Sequence, residues 1–165
     1  MSAYFPLFID MQDRNVCVFG GGKVATRRVE ILLEFGANVH VISPEVTEEL
    51  EKLAGRQKRL LLDYRRYDSG ELTEADVVLA ATNDEHVNTQ IYEECRQKQI
   101  PVNVASDKEK CDFYFPAVIR EGNLIIGVTS GGEDHRKVAR AAKEIRSGKE
   151  LWKKLGEMGD ARCRK

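Results

Sequence analysis

The chain has 165 residues and 42% of them are hydrophobic, enough for one main domain with its own core and a small appendage. A formal net charge of −1 with 32% charged residues offers no general attraction for nucleic acid or for a membrane surface, and we expect neither as a partner. The opening residues lack a basic and apolar leader and no later run approaches membrane-spanning length, so we expect a cytoplasmic protein.

The four cysteines are scattered along the chain, and none stands in a CxxC pair. They are Cys17, Cys95, Cys111 and Cys163, and Cys17 lies inside an apolar run that predicts a buried strand. We interpret them as reduced thiols rather than as a disulfide framework or a zinc site, and we expect no resident metal.

The first predicted elements are a strand, a glycine turn and a helix. The apolar run Val16–Phe19 predicts the strand, Gly20–Gly22 follow it directly, and an amphipathic helix is predicted over Val24–Phe35 with Gly36 closing it. This order is typical of a dinucleotide-binding turn, in which the helix N-terminus supplies unpaired N–H groups to the phosphates. The alternative is a tight βα turn without a ligand.

Individual residues of this first unit have separate predicted roles. Gly20 permits the tight turn, Gly22 lets the backbone approach a pyrophosphate closely, and Ala25 allows the helix to pack on the strand. Arg27 and Arg28 follow on the same helix, and we expect them on a solvated face rather than at the 2′-phosphate of NADP.

Strand and helix patterns alternate after this unit. Strands are predicted at Asn38–Ile42, Leu60–Asp63, Val77–Ala81 and Val102–Val104, and helices at Glu45–Ala54 and His86–Lys98. Apolar strands separated by helices indicate a parallel sheet covered on both faces, and right-handed crossovers then make a doubly wound, Rossmann-like α/β fold. In that fold the ligand crevice lies outside the carboxyl ends of the strands.

The pattern changes after residue 106. Apolar runs at 113–119 and 124–129, joined by turn residues, predict a two-stranded ribbon, and helical composition begins at about Lys137. A two-stranded ribbon is marginal alone, so we expect it to pair with a second copy in a homodimer. The predicted parts are a Rossmann domain at 1–106, a dimerisation ribbon at 107–132 and a basic helical tail at 133–165.

Short polar side chains follow the predicted strands at the edge where a cofactor would lie. No acid ends the second strand, but Ser43 can bond a ribose there and Glu45 can reach it, which favours NAD over NADP. Thr82 and Asn83 follow the fourth strand and present small polar groups, although Asn83 or Asp84 can instead cap the next helix. The fifth strand brings residues 103–107 to the same edge, near the expected nicotinamide.

Five segments, taken in order, resemble one known family. They are GGGKVATRRVEILLEFGANVHVISPE, AATND, VNVASD, CDFYFPA and TSGG. Over residues 4–147 the chain is similar to the amino-terminal module of siroheme synthase, the precorrin-2 dehydrogenase family. That resemblance implies a homodimer that oxidises precorrin-2 to sirohydrochlorin with NAD⁺, and some members also insert ferrous iron, Fe²⁺, as a substrate.

The resemblance also assigns site residues by position. Lys23 and Val24, with Pro44 and Glu45, match family contacts to NAD, while Gly20 and Gly22 match the turn. The family's important aspartate is the fourth residue of a motif like NVVD, and here Ser106 stands at that place with Asp107 next. We expect Asp107 to be the catalytic group, because a carboxylate accepts a proton near neutral pH and a lone serine does so poorly; Ser106 is the alternative.

Substrate contacts are implied for Asn103 and for Ser130 and Gly131 of the TSGG turn. The family continues this turn with a Ser-Pro pair, whereas this chain has residues 133–136, so we expect a reshaped loop. His135 in that loop is a candidate for proton transfer or iron contact, and an incidental exposed histidine is the alternative. Residues 136–165 hold 11 Lys or Arg against 4 Asp or Glu, which suits a polycarboxylate substrate or simply a solvated helix.

The main hypothesis is thus an NAD-dependent dehydrogenase that acts on a tetrapyrrole. Fuller family members carry more helical sequence after this module, so we expect substrate binding to be incomplete or assembled between subunits. Two alternatives from other classes are a nucleotide-sensing regulatory module that has lost catalysis and a scaffold that hands tetrapyrroles to another enzyme.

Overall fold

The computed structural model describes residues 5–72, 74–148 and 152. The chain divides into two compact units, of which the larger is Leu7–Tyr114 and the smaller is Phe115–Lys165 together with Met1–Pro6. Residues 149–151 and 153–165 of the predicted basic tail, including Cys163, lie outside the described residues. Within the described ranges, no helix has both the length and the apolar character needed to cross a bilayer.

The larger unit is a five-stranded parallel sheet with helices between its strands. Its strands are β1 (Asn15–Phe19), β2 (Asn38–Ile42), β3 (Leu60–Asp63), β4 (Val77–Ala80) and β5 (Val102–Val104), in the spatial order β3-β2-β1-β4-β5. Its helices are α1 (Lys23–Glu34), α2 (Glu48–Ala54) and α3 (Glu85–Lys98), and a 3₁₀ turn covers Lys108–Lys110. The predicted doubly wound, Rossmann-like fold is confirmed.

Apolar strand residues bury both faces of this sheet. Val18, Val41, Val78 and Val102 are fully buried, and Phe19 at the end of β1 packs edge-on against Tyr67 with ring centroids 5.2 Å apart. Burial of this kind contributes roughly 1.5–3 kcal/mol per large side chain. The core therefore holds the strand ends, and the loops that follow them, at fixed positions.

Helix α2 begins three residues later than predicted. The pattern placed its start at Glu45, but Thr47 is the N-cap, and its hydroxyl accepts a hydrogen bond from the Leu50 N–H at 3.3 Å. Residues 43–46 consequently form a loop beyond β2 rather than the first turn of a helix.

The larger unit continues past the boundary predicted at residue 106. The Asp112 N–H donates to the Val102 carbonyl at 2.9 Å, and the Asn103 amide donates to the Phe113 carbonyl at 2.7 Å. These bonds fasten the segment that contains the 3₁₀ turn to β5, so it belongs with the sheet and not with the ribbon.

The smaller unit is an antiparallel ribbon packed on a helix. Strands β6 (Ala117–Glu121) and β7 (Leu124–Val128) are joined by a two-residue turn, and α4 follows at His135–Ser147. Strand β6 begins four residues later than predicted, because Pro116 just before it has no N–H to donate. Ala117 and Ile119 pack against Ala142 of α4, so the ribbon has a covered face within its own chain.

Helix α4 begins at His135, two residues before the predicted start. The Asp134 carboxylate is its N-cap and accepts from the Lys137 N–H at 2.8 Å. His135 is therefore the first residue of a helix rather than part of a loop. A capping aspartate therefore sets the start of this helix.

Candidate functional site

A crevice opens where the helices that follow β1 and β4 diverge. These strands are neighbours, but α1 leads to β2 on one side and α3 leads to β5 on the other. The Gly20 N–H donates to the Ile42 carbonyl at 3.0 Å, and the Ala81 N–H donates to the Phe19 carbonyl at 2.8 Å. The glycine turn and the loop after β4 thus meet at the topological switch point, where such folds bind ligands.

Gly20 occupies a position that excludes a side chain. Its φ is +106°, and a Cβ at this residue would collide with the carbonyl oxygen of Ala81. The positive φ and the close approach both require glycine. The turn can therefore bring α1 directly over the end of β1.

Gly21 has a role that sequence reasoning did not assign. A Cβ there would collide with the Glu45 carbonyl oxygen and would lie 2.7 Å from Val46 Cγ1. The Thr47 N–H also donates to the Gly21 carbonyl at 3.0 Å. Gly21 thus lets the loop after β2 pack on the turn, and the run of three glycines was the available signal.

Gly22 differs from the other two because open space surrounds it. No atom lies within 4 Å of a Cβ built at this residue, and no side chain caps the helix that begins after it. Lys23 and Val24 are both exposed in the first turn of α1. Uncapped N–H groups, the positive end of the helix dipole and free space beside the backbone fit the pyrophosphate of a dinucleotide.

The loop after β2 presents its predicted residues unequally. Ser43 is buried and its hydroxyl donates to the Glu45 carbonyl at 2.6 Å, so towards a ribose its oxygen can only accept. Pro44 and Glu45 are exposed. Of this group, the Glu45 carboxylate is the side chain free to accept hydrogen bonds from ribose hydroxyls.

The loop after β4 is closed by its own polar groups. The Asp84 carboxylate caps α3 and accepts from the His86 N–H at 2.9 Å, as one of the two interpretations of this loop predicts. The Thr82 hydroxyl is 2.8 Å from Asn88 Oδ1, and Asn83 is exposed. Asn88 is 1% exposed and was not singled out from sequence, because one polar residue on an amphipathic helix resembles a surface residue.

Ser106 and Asp107 follow β5 at the same edge of the sheet. Ser106 is exposed, and its hydroxyl oxygen accepts from Asn88 Nδ2 at 3.3 Å. The Asp107 carboxylate accepts from the Glu109 N–H at 3.0 Å and lies 3.4 Å from Lys110 Nζ. Both residues thus follow β5 closely, and Asp107 also caps the 3₁₀ turn.

Asn103 lies inside the domain rather than in the crevice. It is 3% exposed, and its amide oxygen accepts from Arg28 Nη1 at 2.8 Å. Arg28 is half-buried, so its predicted place on a solvated face was wrong, and burial lowers the pKa of its guanidinium from the ordinary value. These two residues connect α1 to β5. Because the Asn103 side chain is buried in this bond, it has no exposed group to make the predicted contact with a substrate.

Ser130, Gly131 and His135 belong to the smaller unit. The Ser130 hydroxyl accepts from the Asp134 N–H at 2.9 Å, and Gly131 has a φ of +68°, which favours glycine. His135 is exposed at the start of α4. Two of the three therefore shape the turn into α4, while the imidazole of the third is open to solvent.

The described cysteines have buried or half-buried thiols. Cys17, Cys95 and Cys111 are free, and burial raises the pKa of Cys17 to about 11 and that of Cys95 to about 12. Thiols with such values stay protonated and unreactive near neutral pH. Over residues 5–72 and 74–148, no group of three or more His, Cys, Asp or Glu side chains is arranged to hold a metal ion.

Comparison with known proteins identifies the class to which this crevice belongs. A family model with the description "Putative NAD(P)-binding" matches residues 7–117. The chain belongs to this family of NAD(P)-binding domains. The glycine turn, the uncapped start of α1 and the switch point all lie within the matched residues.

Individual relatives show which NAD(P)-binding proteins the chain is similar to. The chain is 39% identical over 145 residues to the probable multifunctional siroheme biosynthesis protein HemA of Ruminiclostridium josui, covering 86% of this chain and 28% of that protein. It is 38% identical over 129 residues to the siroheme synthase of Psychrobacter cryohalolentis, covering 78% of this chain and 24% of that protein. The chain thus spans about a quarter of the length of these relatives. The predicted resemblance to the amino-terminal module of siroheme synthase is confirmed.

A solved structure has the same fold. The chain superposes on SirC, a precorrin-2 dehydrogenase, with a TM-score of 0.73 and 26% sequence identity, covering 87% of this chain and 70% of SirC. Because the coverage exceeds the NAD(P)-binding match, the similarity includes residues beyond the Rossmann sheet.

Proposed function

We propose that this protein catalyses the NAD-dependent oxidation of precorrin-2 to sirohydrochlorin in siroheme biosynthesis. The observation that carries the proposal is the crevice at the β1–β4 switch point, bordered by an open glycine turn and by polar residues after β5, in a chain similar to siroheme synthases and to SirC. NAD is the cofactor we assign, since Glu45 offers a ribose-binding carboxylate beside the turn.

The reaction removes one hydride and one proton from the substrate. When bound, NAD⁺ supplies the hydride acceptor and becomes NADH. The protein must place the tetrapyrrole against the cofactor and accept the proton that is released. We assign that proton to the Asp107 carboxylate, and we assign hydrogen bonding to the substrate to Ser106, because these groups follow β5 at the crevice edge.

Substrate recognition in this proposal depends on charge. Precorrin-2 carries many carboxylates, and α4 exposes a series of cationic side chains that can pair with them. These are Arg136, Lys137, Arg140 and Lys143. We assign these side chains, together with Ser130, Gly131 and His135 at the start of the helix, to recognition of the substrate.

Assembly and location complete the proposal. The exposed Leu124 and Ile125 of β7 suit a contact between two copies, so we propose a homodimer formed through the ribbon. We place the protein in the cytoplasm, where the described cysteines would stay reduced.

A direct assay tests the proposed activity. Purified protein is mixed with precorrin-2 and NAD⁺, and NADH absorbance is followed together with the spectrum of sirohydrochlorin. We expect both products in equal amounts. If the folded protein binds NAD but forms neither product, the result would favour the sensor alternative. Binding of the tetrapyrrole without affinity for NAD would favour the scaffold.

Iron insertion enters the proposal as a second reaction, with Fe²⁺ as a substrate. Sirohydrochlorin and Fe²⁺ are incubated with the protein and the formation of siroheme is compared with the protein-free rate. A rate above that background supports the activity, and an equal rate contradicts it while leaving the dehydrogenase assay unaffected.

A further inference from the structure

Asn88 joins the two loops that border the crevice. Its Oδ1 accepts from the Thr82 N–H at 3.2 Å and from the Thr82 hydroxyl at 2.8 Å. Its Nδ2 donates to the Thr82 carbonyl at 3.1 Å and to Ser106 Oγ at 3.3 Å. One side chain, 1% exposed, thus connects the loop after β4 to the loop after β5.

The backbone of Thr82 determines which way this amide points. A backbone N–H can only donate and a carbonyl can only accept, so Oδ1 must face the N–H and Nδ2 must face the carbonyl. The other Nδ2 hydrogen then points to Ser106, whose oxygen has to accept it. The two backbone groups of Thr82 therefore fix the orientation of the amide.

This orientation decides what the Ser106 hydroxyl can do. Because the Ser106 oxygen accepts from a buried amide, its own hydrogen is directed elsewhere, and the residue is exposed at the carboxyl end of β5. Ser106 is thereby set to donate a hydrogen bond into the crevice. A donor suits an acceptor atom such as a substrate carboxylate oxygen.

We propose that Asn88 is a positioning residue of the dehydrogenase: it holds the loops after β4 and β5 together and orients the Ser106 hydroxyl as a donor towards the tetrapyrrole. This inference rests on the proposed function. Asn88 touches neither substrate nor cofactor and acts through Ser106.

Asn88→Asp reverses the bond to Ser106 and keeps the two bonds that Oδ1 accepts from Thr82. A carboxylate of the same size still accepts from the Thr82 N–H and hydroxyl, but it places an oxygen where the amide donated to Ser106 and to the Thr82 carbonyl. Ser106 must then turn its hydrogen towards residue 88 and no longer donates into the crevice. Gln90→Glu makes the same amide-to-carboxylate change at an exposed position of α3 and serves as the matched control.

Steady-state kinetics with precorrin-2 and NAD⁺ test the coupling. We expect Asn88→Asp and Ser106→Ala each to lower kcat about tenfold, with KM for NAD changed less than about threefold. In the double variant, kcat should lie no more than about threefold below that of the less active single variant. Both substitutions remove the same hydrogen bond, the one that the Ser106 hydroxyl donates into the crevice, so their effects should not multiply. Gln90→Glu should match the wild type.

Two results would overturn the inference. The first is a double variant whose kcat is reduced by the full product of the two single reductions, from Asn88→Asp and from Ser106→Ala. The second is an unchanged kcat in a folded Asn88→Asp protein. If Asn88→Asp does not fold, Ser106→Thr and Ser106→Ala decide instead: threonine should keep kcat within about threefold of the wild type, and equal losses would overturn the inference. A wild-type protein without turnover would contradict the proposed function itself, so the two failures are distinguishable.

Discussion

The two sides of the crevice are built by different means. On the side of β1 the glycine turn is shaped by backbone alone: Gly20 has a positive φ, and Gly22 has open space around it. On the side of β4 and β5 a buried amide, Asn88, holds the loops by four hydrogen bonds. A site shaped by backbone cannot accept a side chain where two backbone segments come close together. A network built around one side chain instead depends on the hydrogen-bonding groups of that residue.

Glycine substitutions give the largest expected effects. They distinguish Gly20, which the conformation of the turn requires, from Gly22, which leaves space for a ligand. Gly20→Ala should cost more than about 3 kcal/mol of unfolding free energy, because it adds both an unfavourable φ and a collision with the Ala81 carbonyl. Gly22→Ala should stay within about 1 kcal/mol of the wild type. Chemical denaturation measures both, and equal losses would contradict the difference between these positions.

At the same turn, Gly22→Asp should abolish NAD binding without unfolding the protein. The added carboxylate occupies the space beside α1 and repels the pyrophosphate, so we expect at least about a hundredfold loss of affinity. Calorimetric titration with NAD⁺ measures it. Retained affinity would refute the assignment of the turn to the cofactor.

On the opposite side of the crevice, Asp107→Ala should slow turnover more than Ser106→Ala. Loss of a proton acceptor costs about a hundredfold in kcat, and loss of one hydrogen-bond donor costs about tenfold. Asp107→Asn keeps an acceptor for the Glu109 N–H and controls for the 3₁₀ turn. The reverse ranking would place the reacting group at Ser106.

A second buried network, remote from the predicted site residues, should affect stability alone. The Glu94 carboxylate accepts from Tyr67, from Lys98 and from the N–H groups of Gly70 and Leu72. Burial opposes its ionisation, but these bonds together outweigh burial and lower its pKa from 4.5 to about 2. Because the folded pKa is the lower one, the stabilisation, roughly 3 kcal/mol, is present above pH 4.5 and lost as pH falls towards 2.

Glu94→Gln tests this network. The variant should be less stable than the wild type at neutral pH, and the difference should shrink as the pH is lowered through that window. Glu93→Gln, on an exposed neighbour, should change little. A difference that does not vary with pH would show that the charge of Glu94 is not the stabilising feature.

The smallest expected effect lies at the end of α3. Gln99 has a φ of +58°, and Gln99→Gly should raise the unfolding free energy by about 1 kcal/mol because glycine adopts this conformation without strain. Gln97→Gly, two residues earlier inside the helix, should lower it by about the same amount. Thermal unfolding measures both, and equal signs would contradict the backbone explanation.

The strands of the larger unit were predictable almost to the residue, and the two helix starts that failed share a cause. β2, β3 and β5 match their predicted ranges, because long apolar runs between turn residues have few alternatives. The starts of α2 and α4 were displaced because a cap, Thr47 or Asp134, was not recognised. A cap is defined by the bond its side chain makes, and several nearby residues have the chemistry to make it.

Sequence alone determined the fold class, the glycine turn and the family, because periodicity, glycine and motif order follow directly from local chemistry. Only the tertiary structure assigned Asn88 and Glu94 to buried networks, moved Asn103 and Arg28 from exposed roles to an internal bond, and gave Gly21 its packing partner. Those assignments depend on which residues distant in the chain meet across the sheet. The sequence pattern around a polar residue does not distinguish a side chain that faces water from one that holds two loops together.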